Sequence, residues 1–363
     1  MPQRPENQRL LSIDALRGFD MFWIIGGDFL AHALADATAF PAFLWLSAQM
    51  RHADWIGVNL YDLVFPLFMF LSGASAAIVL SRKDNSKAPS TYISGAAKRA
   101  LILILLGIAY NWGWDITAER FRIPSVLGLI GVAYLIAMII LVTIKSWPRR
   151  AMMLVAIWVF VALLQLATPV PGFGAGDLTA AGSINGWIDR TFLPGRLYGG
   201  AYDPEGLLGM ISGASITLAG AFAGALLVKP NKTYLKKTAI LAGTGIVLIL
   251  SGLALAPYYP PIKKLWTVTF DLIAIGACNI FLALFIILIE QLRLRRWATF
   301  FAVIGANSIA IYMVARFFAY PVLIPLSTFD GSIGLRILGI IAILAVEWGL
   351  LFALYRKRIF VKV

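Results

Sequence analysis

Apolar residues fall into ten long stretches separated by shorter polar segments. About 20 consecutive apolar residues form one helical crossing of a bilayer core. Within lipid, an open chain satisfies its own backbone hydrogen bonds only as a helix. The pattern therefore predicts about ten transmembrane helices, near residues 12–32, 60–81, 98–114, 123–144, 150–168, 205–228, 238–256, 266–290, 297–318 and 334–355.

The composition supports a membrane protein and excludes several other classes. Apolar residues make up 60% of the 363 positions and charged residues 13%, whereas a soluble domain carries about 25% charged residues. Cys278 is the only cysteine and there are two histidines, so we expect neither a disulfide scaffold nor a metal site. The segment from Met1 to Gln8 is polar, and no cleavable signal is expected there.

The basic residues alternate between the two sides of the predicted helices. Of 31 lysines and arginines, 21 fall on the side that holds both termini and 8 on the other, while Arg17 and Arg316 lie inside spans. Because positive charge marks cytoplasmic loops, both termini are predicted to be cytoplasmic. The chain is thus predicted to be an all-α, polytopic protein with one transmembrane domain (1–363), surrounded by lipid. The net charge of +13 is explained by topology, and no nucleic-acid partner is expected.

The first span carries charged residues along one face. Asp14 and Arg17 are three residues apart, a spacing at which two side chains can pair on a helix. Asp28 lies eleven residues beyond Arg17, which returns to nearly the same direction about 16 Å further out. Charges inside a membrane are costly and usually functional. The alternative is a structural ion pair with an aspartate at the headgroup level.

His52 lies in the segment Gln49–Trp55, just before the second span and on the outer side. A single histidine is more often a surface or packing residue. An imidazole near the acidic Asp28, however, would have a partner that fixes its tautomer and raises its basicity. Such a pair could deprotonate an amine or hydroxyl, or could itself accept an acyl group.

Other polar and aromatic residues are predicted near the same outer face. Asp203 and Glu205 precede the sixth span, where acids are favoured by the helix dipole. Trp266 begins the eighth span, as a member of an aromatic belt or as a stacking surface for a sugar. Gly73, Gly220 and Gly224 suit close contact between helices.

Seven segments together resemble the heparan-α-glucosaminide N-acetyltransferase family of transmembrane acyltransferases, and specifically its short bacterial members. They occur in the family's order along nearly the whole chain: Ser12–Gly18, Arg51–Gly57, Asp62–Pro66, Arg122–Leu127, Tyr202–Gly206, Lys264–Trp266 and Gly305–Ser308.

The resemblance implies an enzyme that transfers an acetyl group from cytosolic acetyl-CoA to an amino sugar or glycan at the opposite face of a bacterial inner membrane. The family's catalytic histidine, in a His-Ala-Ser-Trp motif, falls at His52, and its partner asparagine falls at Asp28. A carboxylate thus replaces an amide. The chain also departs from the family at Gly128 and Leu129, where the family has Gln-Arg. The resemblance alone suggests a homodimer.

The expected roles of the remaining residues follow from this topology. Phosphates of the donor need cationic partners, for which Arg17 is the candidate within a motif and Lys98, Arg99, Arg149 and Arg150 are candidates outside one. The predicted donor site comprises Arg17, Asp14, Arg122, Asn307 and Ser308, and the predicted acceptor site comprises Asp62, Asp203, Glu205 and Trp266.

A second function fits the same polar residues. Short bacterial chains of this kind are also labelled N-acetylglucosamine transporters. A carrier would use the stripe in the first span as a proton relay and sugar site, with Asp28 or Glu347 titrating. We find no nucleotide-binding loop of an ATP-driven pump. Whether transfer is direct or passes through an acetyl-histidine is left open by the sequence.

Overall fold

A computed structural model of the protein describes residues 10–82, 88–230, 232–329 and 331–361. The segment Met1–Gln8 lies outside these ranges, as do five of the basic residues counted above, namely Arg4, Arg9, Lys83, Lys87 and Lys362. The helices are α1 (Leu11–Phe22), α2 (Asp28–Thr38), α3 (Pro41–Gln49), α4 (Leu60–Arg82), α5 (Pro89–Trp112), α6 (Val126–Thr143), α7 (Trp147–Ala167), α8 (Ile184–Phe192), α9 (Leu207–Val228), α10 (Tyr234–Leu255), α11 (Val268–Ile286), α12 (Arg296–Ala306), α13 (Ser308–Val314), α14 (Tyr320–Ser327) and α15 (Ile333–Arg356).

The all-α prediction is confirmed, since the two strands found are short. They are β1 (Pro169–Val170) and β2 (Gly174–Ala175), which pair antiparallel in a long loop. Within the described ranges, nine helices are long and apolar enough to cross a membrane. Each of the ten predicted stretches is helical over most of its length. The protein is a multi-pass membrane protein.

The predicted first span is broken in its middle. A π-helical turn at Trp23–Gly27 joins α1 to α2, and this stretch is not among the nine. Gly26 adopts φ 142° inside this turn, a conformation that is costly for residues with a Cβ atom. The predicted ninth span is likewise divided at Asn307, where α12 ends and α13 begins. A second π-helical turn, Ala315–Ala319, then joins α13 to α14.

Glycines allow the central helices to approach each other closely. A Cβ atom added to Gly73 of α4 would lie 1.7 Å from the carbonyl oxygen of Thr217 in α9, and one added to Gly220 would lie 1.9 Å from that of Phe70. The contact predicted for Gly73, Gly220 and Gly224 is confirmed. Gly18 of α1 and Gly305 of α12 form a similar contact. These contacts fix α4 against α9 and α1 against α12, and both α1 and α4 line the cavity described next.

The predicted outer connections carry short helices of their own. Helix α3 lies in the segment before α4, and α8 follows the β1–β2 hairpin. Trp55 ties the two connections together because its indole N–H donates to the carbonyl of Leu178, at 3.0 Å. The isolated bridge between Gly57 and Ile262 adds the loop before α11 to the same assembly. His52 is therefore held in a folded loop layer at the end of the helices.

Candidate active site

A cavity of about 1210 Å³ follows one face of α4. Its lining residues on this helix extend from Tyr61 to Leu80, a rise of about 28 Å at 1.5 Å per residue. This approaches the thickness of the hydrocarbon core, about 30 Å. One end of the cavity is lined by His52 and the other by Arg17. We call these the His52 end and the Arg17 end.

His52 is oriented by Asp62. The imidazole Nδ1 lies 2.8 Å from Asp62 Oδ1, and Asp62 also accepts hydrogen bonds from the backbone N–H groups of Ala53 (3.1 Å) and Asn59 (3.0 Å). The carboxylate is 1% exposed, whereas the imidazole is half exposed. A carboxylate fixed by the backbone thus holds one ring nitrogen, and Nε2 is the nitrogen available to a substrate in the cavity.

Lys263 completes this group. Its Nζ lies 3.0 Å from His52 Nδ1 and 3.4 Å from Asp62 Oδ1. An ammonium group has no acceptor and a carboxylate has no donor, so Nδ1 cannot serve both neighbours. We assign the proton to Nδ1, which donates to Asp62, and the ammonium charge of Lys263 to the same carboxylate. Burial lowers the pKa of Lys263, while the Asp62 and Glu205 carboxylates oppose that shift.

Asp28 is placed differently from the prediction. Its carboxylate accepts hydrogen bonds from the Tyr61 hydroxyl (3.2 Å) and from the N–H of Phe29 (2.8 Å). The Tyr61 ring in turn lies 4.8 Å from the imidazole of His52, centroid to centroid. Tyr61 lines the cavity and stands between the two residues that the sequence paired. The carboxylate partner of His52 is Asp62, and Asp28 contacts Tyr61 instead.

Arg122, Asp203 and Glu205 form an ionic cluster at the His52 end. Arg122 donates to both oxygens of Asp203, at 2.7 and 2.5 Å, and also to Glu205. Burial opposes the charge of Arg122, but the two carboxylates outweigh it and raise the pKa of the guanidinium. Burial also raises the pKa of Glu205, against the effect of Arg122. The charge of Arg122 is therefore balanced by these two carboxylates. Arg122 lies at the His52 end, whereas the donor phosphates are predicted to bind near Arg17.

Two predicted acceptor residues do not line the cavity. Trp266 is 1% exposed, with its ring edge-on to Phe65 and Phe270 and its indole N–H bonded to the carbonyl of Pro204. It is a core residue because its ring is covered on all sides. Asp203 is also buried and serves to hold Arg122. Glu205 does line the cavity.

Other aromatic rings take the place predicted for Trp266. Trp55 and Tyr198 line the cavity near His52. The ammonium of Lys264 lies 5.5 Å from the centroid of the Trp55 ring, and the guanidinium of Arg122 lies 5.1 Å from that of Tyr198. The His52 end thus combines aromatic surfaces with charged groups.

Basic side chains line the Arg17 end of the cavity. Arg17 donates to Asp14 (3.3 Å) and to the hydroxyl of Ser75 (3.0 Å). The Arg99 guanidinium lies 4.3 Å from the centroid of the Tyr134 ring. Within the described part of the chain, Arg99 Nε has no hydrogen-bond partner. Arg150, in contrast, donates to the carbonyls that end α6 and does not line the cavity.

Asn307 holds the chain that follows α15. Its side-chain N–H donates to the carbonyl of Ile359 at 3.0 Å, and its oxygen accepts from the N–H of Val361 at 2.8 Å. Phe360 and Val361 line the Arg17 end of the cavity, as does Ser308. The amide predicted to contact the donor therefore positions the segment Ile359–Val361 instead. Ser308 remains a candidate for direct contact.

A family model described as an acyltransferase domain matches residues 10–353. The chain belongs to this family. It is 26% identical to heparan-alpha-glucosaminide N-acetyltransferase from Homo sapiens over 367 aligned positions, which cover 84% of this chain and 52% of the human protein. The Mus musculus protein of the same name is also 26% identical, over 322 positions, 72% of this chain and 48% of that protein. The family resemblance is confirmed, and the chain spans about half the length of these relatives.

Several residues that line this cavity were absent from the predicted set, among them Lys263, Tyr61, Trp55 and Tyr198, and some had a partial signal. Lys263 adjoins the Lys264–Trp266 segment, and Tyr61 adjoins Asp62 in the segment at the start of α4. Arg99 is one of several basic residues near the cytoplasmic end of a span, and only the structure separates it from Arg150. Among the described residues, no group of three His, Cys, Asp or Glu side chains is placed to hold a metal ion.

Proposed function

We propose that this acyltransferase uses acetyl-CoA from the cytosol to acetylate an amino sugar of the glucosamine type at the periplasmic face of a bacterial inner membrane. Family membership supports acyl transfer, and the names of the human and mouse relatives support an N-acetylated glucosamine unit as product. The greater number of basic residues on the predicted cytoplasmic side supports the orientation.

The observation that carries the proposal is a single cavity with different chemistry at its two ends. Arg17 and Arg99 line one end and suit the phosphates of CoA. His52, backed by Asp62, lines the other end and suits proton transfer. A donor that reaches along the cavity would bring its thioester to His52. The acceptor would then reach the same imidazole from the opposite side of the membrane.

In the proposed reaction, His52 Nε2 accepts a proton from the acceptor nitrogen as that nitrogen attacks the thioester carbonyl. The C–N bond forms, the C–S bond breaks, and the proton passes from the imidazolium to the departing CoA thiolate. Asp62 keeps the second proton on Nδ1 throughout and stabilises the transient imidazolium. Attack by Nε2 itself, followed by transfer from acetyl-imidazole, uses the same groups.

The acceptor is proposed to bind between the aromatic rings and the ionic cluster. Trp55 and Tyr198 would pack against the sugar ring, and Glu205 would accept hydrogen bonds from its hydroxyl or amino groups. Asp203, predicted to contact the acceptor directly, would act by holding Arg122. Trp266 has no direct role because it is enclosed in the core.

The test uses purified protein in detergent. Binding of acetyl-CoA is measured by calorimetry, and release of free CoA is followed with a thiol reagent after glucosamine is added. His52→Ala should bind acetyl-CoA about as tightly as the parent protein but lose acceptor-dependent release by a factor on the order of 10²–10⁴. His32→Ala is the matched control, since His32 bonds to Ser47 and does not line the cavity.

Acceptor-dependent release at the parental rate by a folded His52→Ala protein would contradict the assignment. If the parent protein binds no acetyl-CoA, the acyl-transfer proposal fails. Uptake of labelled N-acetylglucosamine into proteoliposomes would then test the carrier in its place.

A further inference from the structure

Helix α4 presents one continuous stripe of side chains to the cavity. The stripe residues are three or four positions apart, the spacing of one helix face, and comprise Tyr61, Phe65, Phe68, Ser72, Ser75 and Val79. Another face of the helix packs closely on α9 through Gly73. The stripe is apolar on both sides of Ser72 and Ser75. These two hydroxyls are therefore the polar groups that α4 offers to the middle of the cavity.

Ser72 is 8% exposed, and its hydroxyl has no hydrogen-bond partner among the described residues. Serines inside helices usually donate to the carbonyl three or four residues earlier. Ser75 does so, to Leu71 at 2.8 Å, and Ser81 does so, to Ile78 at 2.8 Å. An unpaired buried hydroxyl costs free energy. Ser72 thus lacks the partner that its neighbours on the same helix have.

The position of Ser72 along α4 can be compared with the length of the proposed donor. Ser72 lies about 15 Å from Asp62 along the helix axis, and Ser75, which accepts from Arg17, lies about 20 Å from it. An extended pantetheine arm has about as many backbone bonds between thioester and diphosphate as four residues of extended chain, or about 15 Å. An arm of about 15 Å that begins at the level of Asp62 ends at the level of Ser72, so Ser72 lies beside the diphosphate end of the arm, with Ser75 about 5 Å further along.

We propose that Ser72 is a hydrogen-bonding site for the pantetheine arm of the donor, whose amide and hydroxyl groups must cross the apolar middle of the cavity. This inference rests on the proposed function, because it requires a CoA thioester. A serine hydroxyl both donates and accepts, and its single χ1 bond has other staggered positions to which the hydroxyl can rotate when a partner enters the cavity. The arm supplies the partner that Ser72 lacks within the protein.

The experiment compares binding of three compounds to the parent protein and to Ser72→Ala, by calorimetry in detergent. Acetyl-CoA and S-acetylpantetheine contain the arm, whereas adenosine 3′,5′-bisphosphate does not. Loss of one hydrogen bond should weaken the first two by about three- to tenfold and leave the third unchanged. Ser12→Ala is the matched control, since the Ser12 hydroxyl is also buried and unpartnered within the described residues but does not line the cavity.

Equal affinity of the parent protein and Ser72→Ala for both arm-containing compounds would overturn the inference and leave the proposed function standing. An equal loss for all three compounds would also overturn it, since the effect would then be structural. If the parent protein does not bind acetyl-CoA, both the inference and the proposed function fail. Selective loss of the two arm-containing compounds, with Ser12→Ala unaffected, would support the site.

Discussion

Asp62 is the residue on which the His52 end depends most. It accepts hydrogen bonds from the His52 imidazole and from the backbone at Ala53 and Asn59, and it lies beside the Lys263 ammonium. One buried carboxylate therefore fixes the imidazole, the loop that carries it and the nearest cation. Because these groups act as a unit, we expect a change at Asp62 to disturb all of their positions together.

Asp62→Asn is expected to lower kcat by a factor on the order of 10²–10⁴ while the affinity for acetyl-CoA changes little. An amide offers one oxygen and an N–H₂ group where two carboxylate oxygens now accept, so the imidazole loses its defined tautomer. Steady-state kinetics and donor binding would be measured on the same preparation. Asp54→Asn is the control, because Asp54 is an exposed carboxylate that lines the same cavity. A kcat within threefold of the parent value would contradict the positioning role.

At this scale the sequence indicated which residues to group in one site but not which of them are hydrogen-bond partners. His52, Asp28 and Asp62 were all placed in the site, but His52 was linked to Asp28. The intervening Tyr61 ring could not be foreseen, because the sequence gives heights along a helix and not the rotation of one helix against the next. Trp266 was misassigned for a related reason: a tryptophan at a span boundary fits the interface, a ligand site or, as here, the core.

Helix α4 combines two faces with different requirements. One lines the cavity, and the other lies so close to α9 that backbone meets backbone at Gly73, Gly220 and Gly224. The stripe that meets the substrates is consequently carried on a helix that cannot easily shift. Catalytic groups need such rigid support, since small displacements are costly to the rate.

Gly73→Ala is expected to lower the free energy of unfolding by about 1–3 kcal/mol, the usual cost of overfilling a packed contact. The added Cβ would lie 1.7 Å from the Thr217 carbonyl oxygen, which belongs to a helix backbone and cannot rotate away. The midpoint of thermal unfolding in detergent is the measurement. Gly243→Ala on α10 is matched to it, since a Cβ there meets nothing within 4 Å. Equal midpoints for the two variants would contradict the close α4–α9 contact.

The helices themselves were predictable, and the breaks within them were not. Ten apolar stretches gave ten helical regions because lipid leaves the backbone few alternatives. The π-helical turn at Trp23–Gly27 and the interruption at Asn307 depend on how neighbouring helices fill the space beside them. The segment Ile359–Val361 is apolar but lies outside the predicted spans, and only the structure shows that Asn307 holds it beside the cavity.

For the whole molecule, the proposed function requires that the two substrates approach from opposite sides. The cavity extends along α4 over about the thickness of a hydrocarbon core, with Arg17 at one end and His52 at the other. The donor phosphates never need to cross the membrane. Only the acetyl group changes sides.

The proposed sidedness predicts that inverted and right-side-out membrane vesicles differ in product formation. Acetyl-CoA supplied outside such vesicles, which expose the cytoplasmic face, should acetylate glucosamine sealed inside them. Right-side-out vesicles given the same external donor should form no product, because the donor would meet the wrong face. Product is measured by mass spectrometry after the vesicles are washed, with His52→Ala vesicles as the control. Equal product in both orientations would contradict the proposed sidedness.

The same cavity has an electrical consequence. Moving one elementary charge across a membrane potential of 100 mV releases about 2.3 kcal/mol, so a continuous column of water beside α4 would conduct protons and discharge the cell. Aromatic rings occupy much of the wall, among them Tyr110 and Tyr312, which are stacked 4.4 Å apart and nearly parallel. The proposed transfer of an acetyl group between two compartments therefore also requires that protons do not pass along the cavity. These rings are the groups of the wall that have to prevent it.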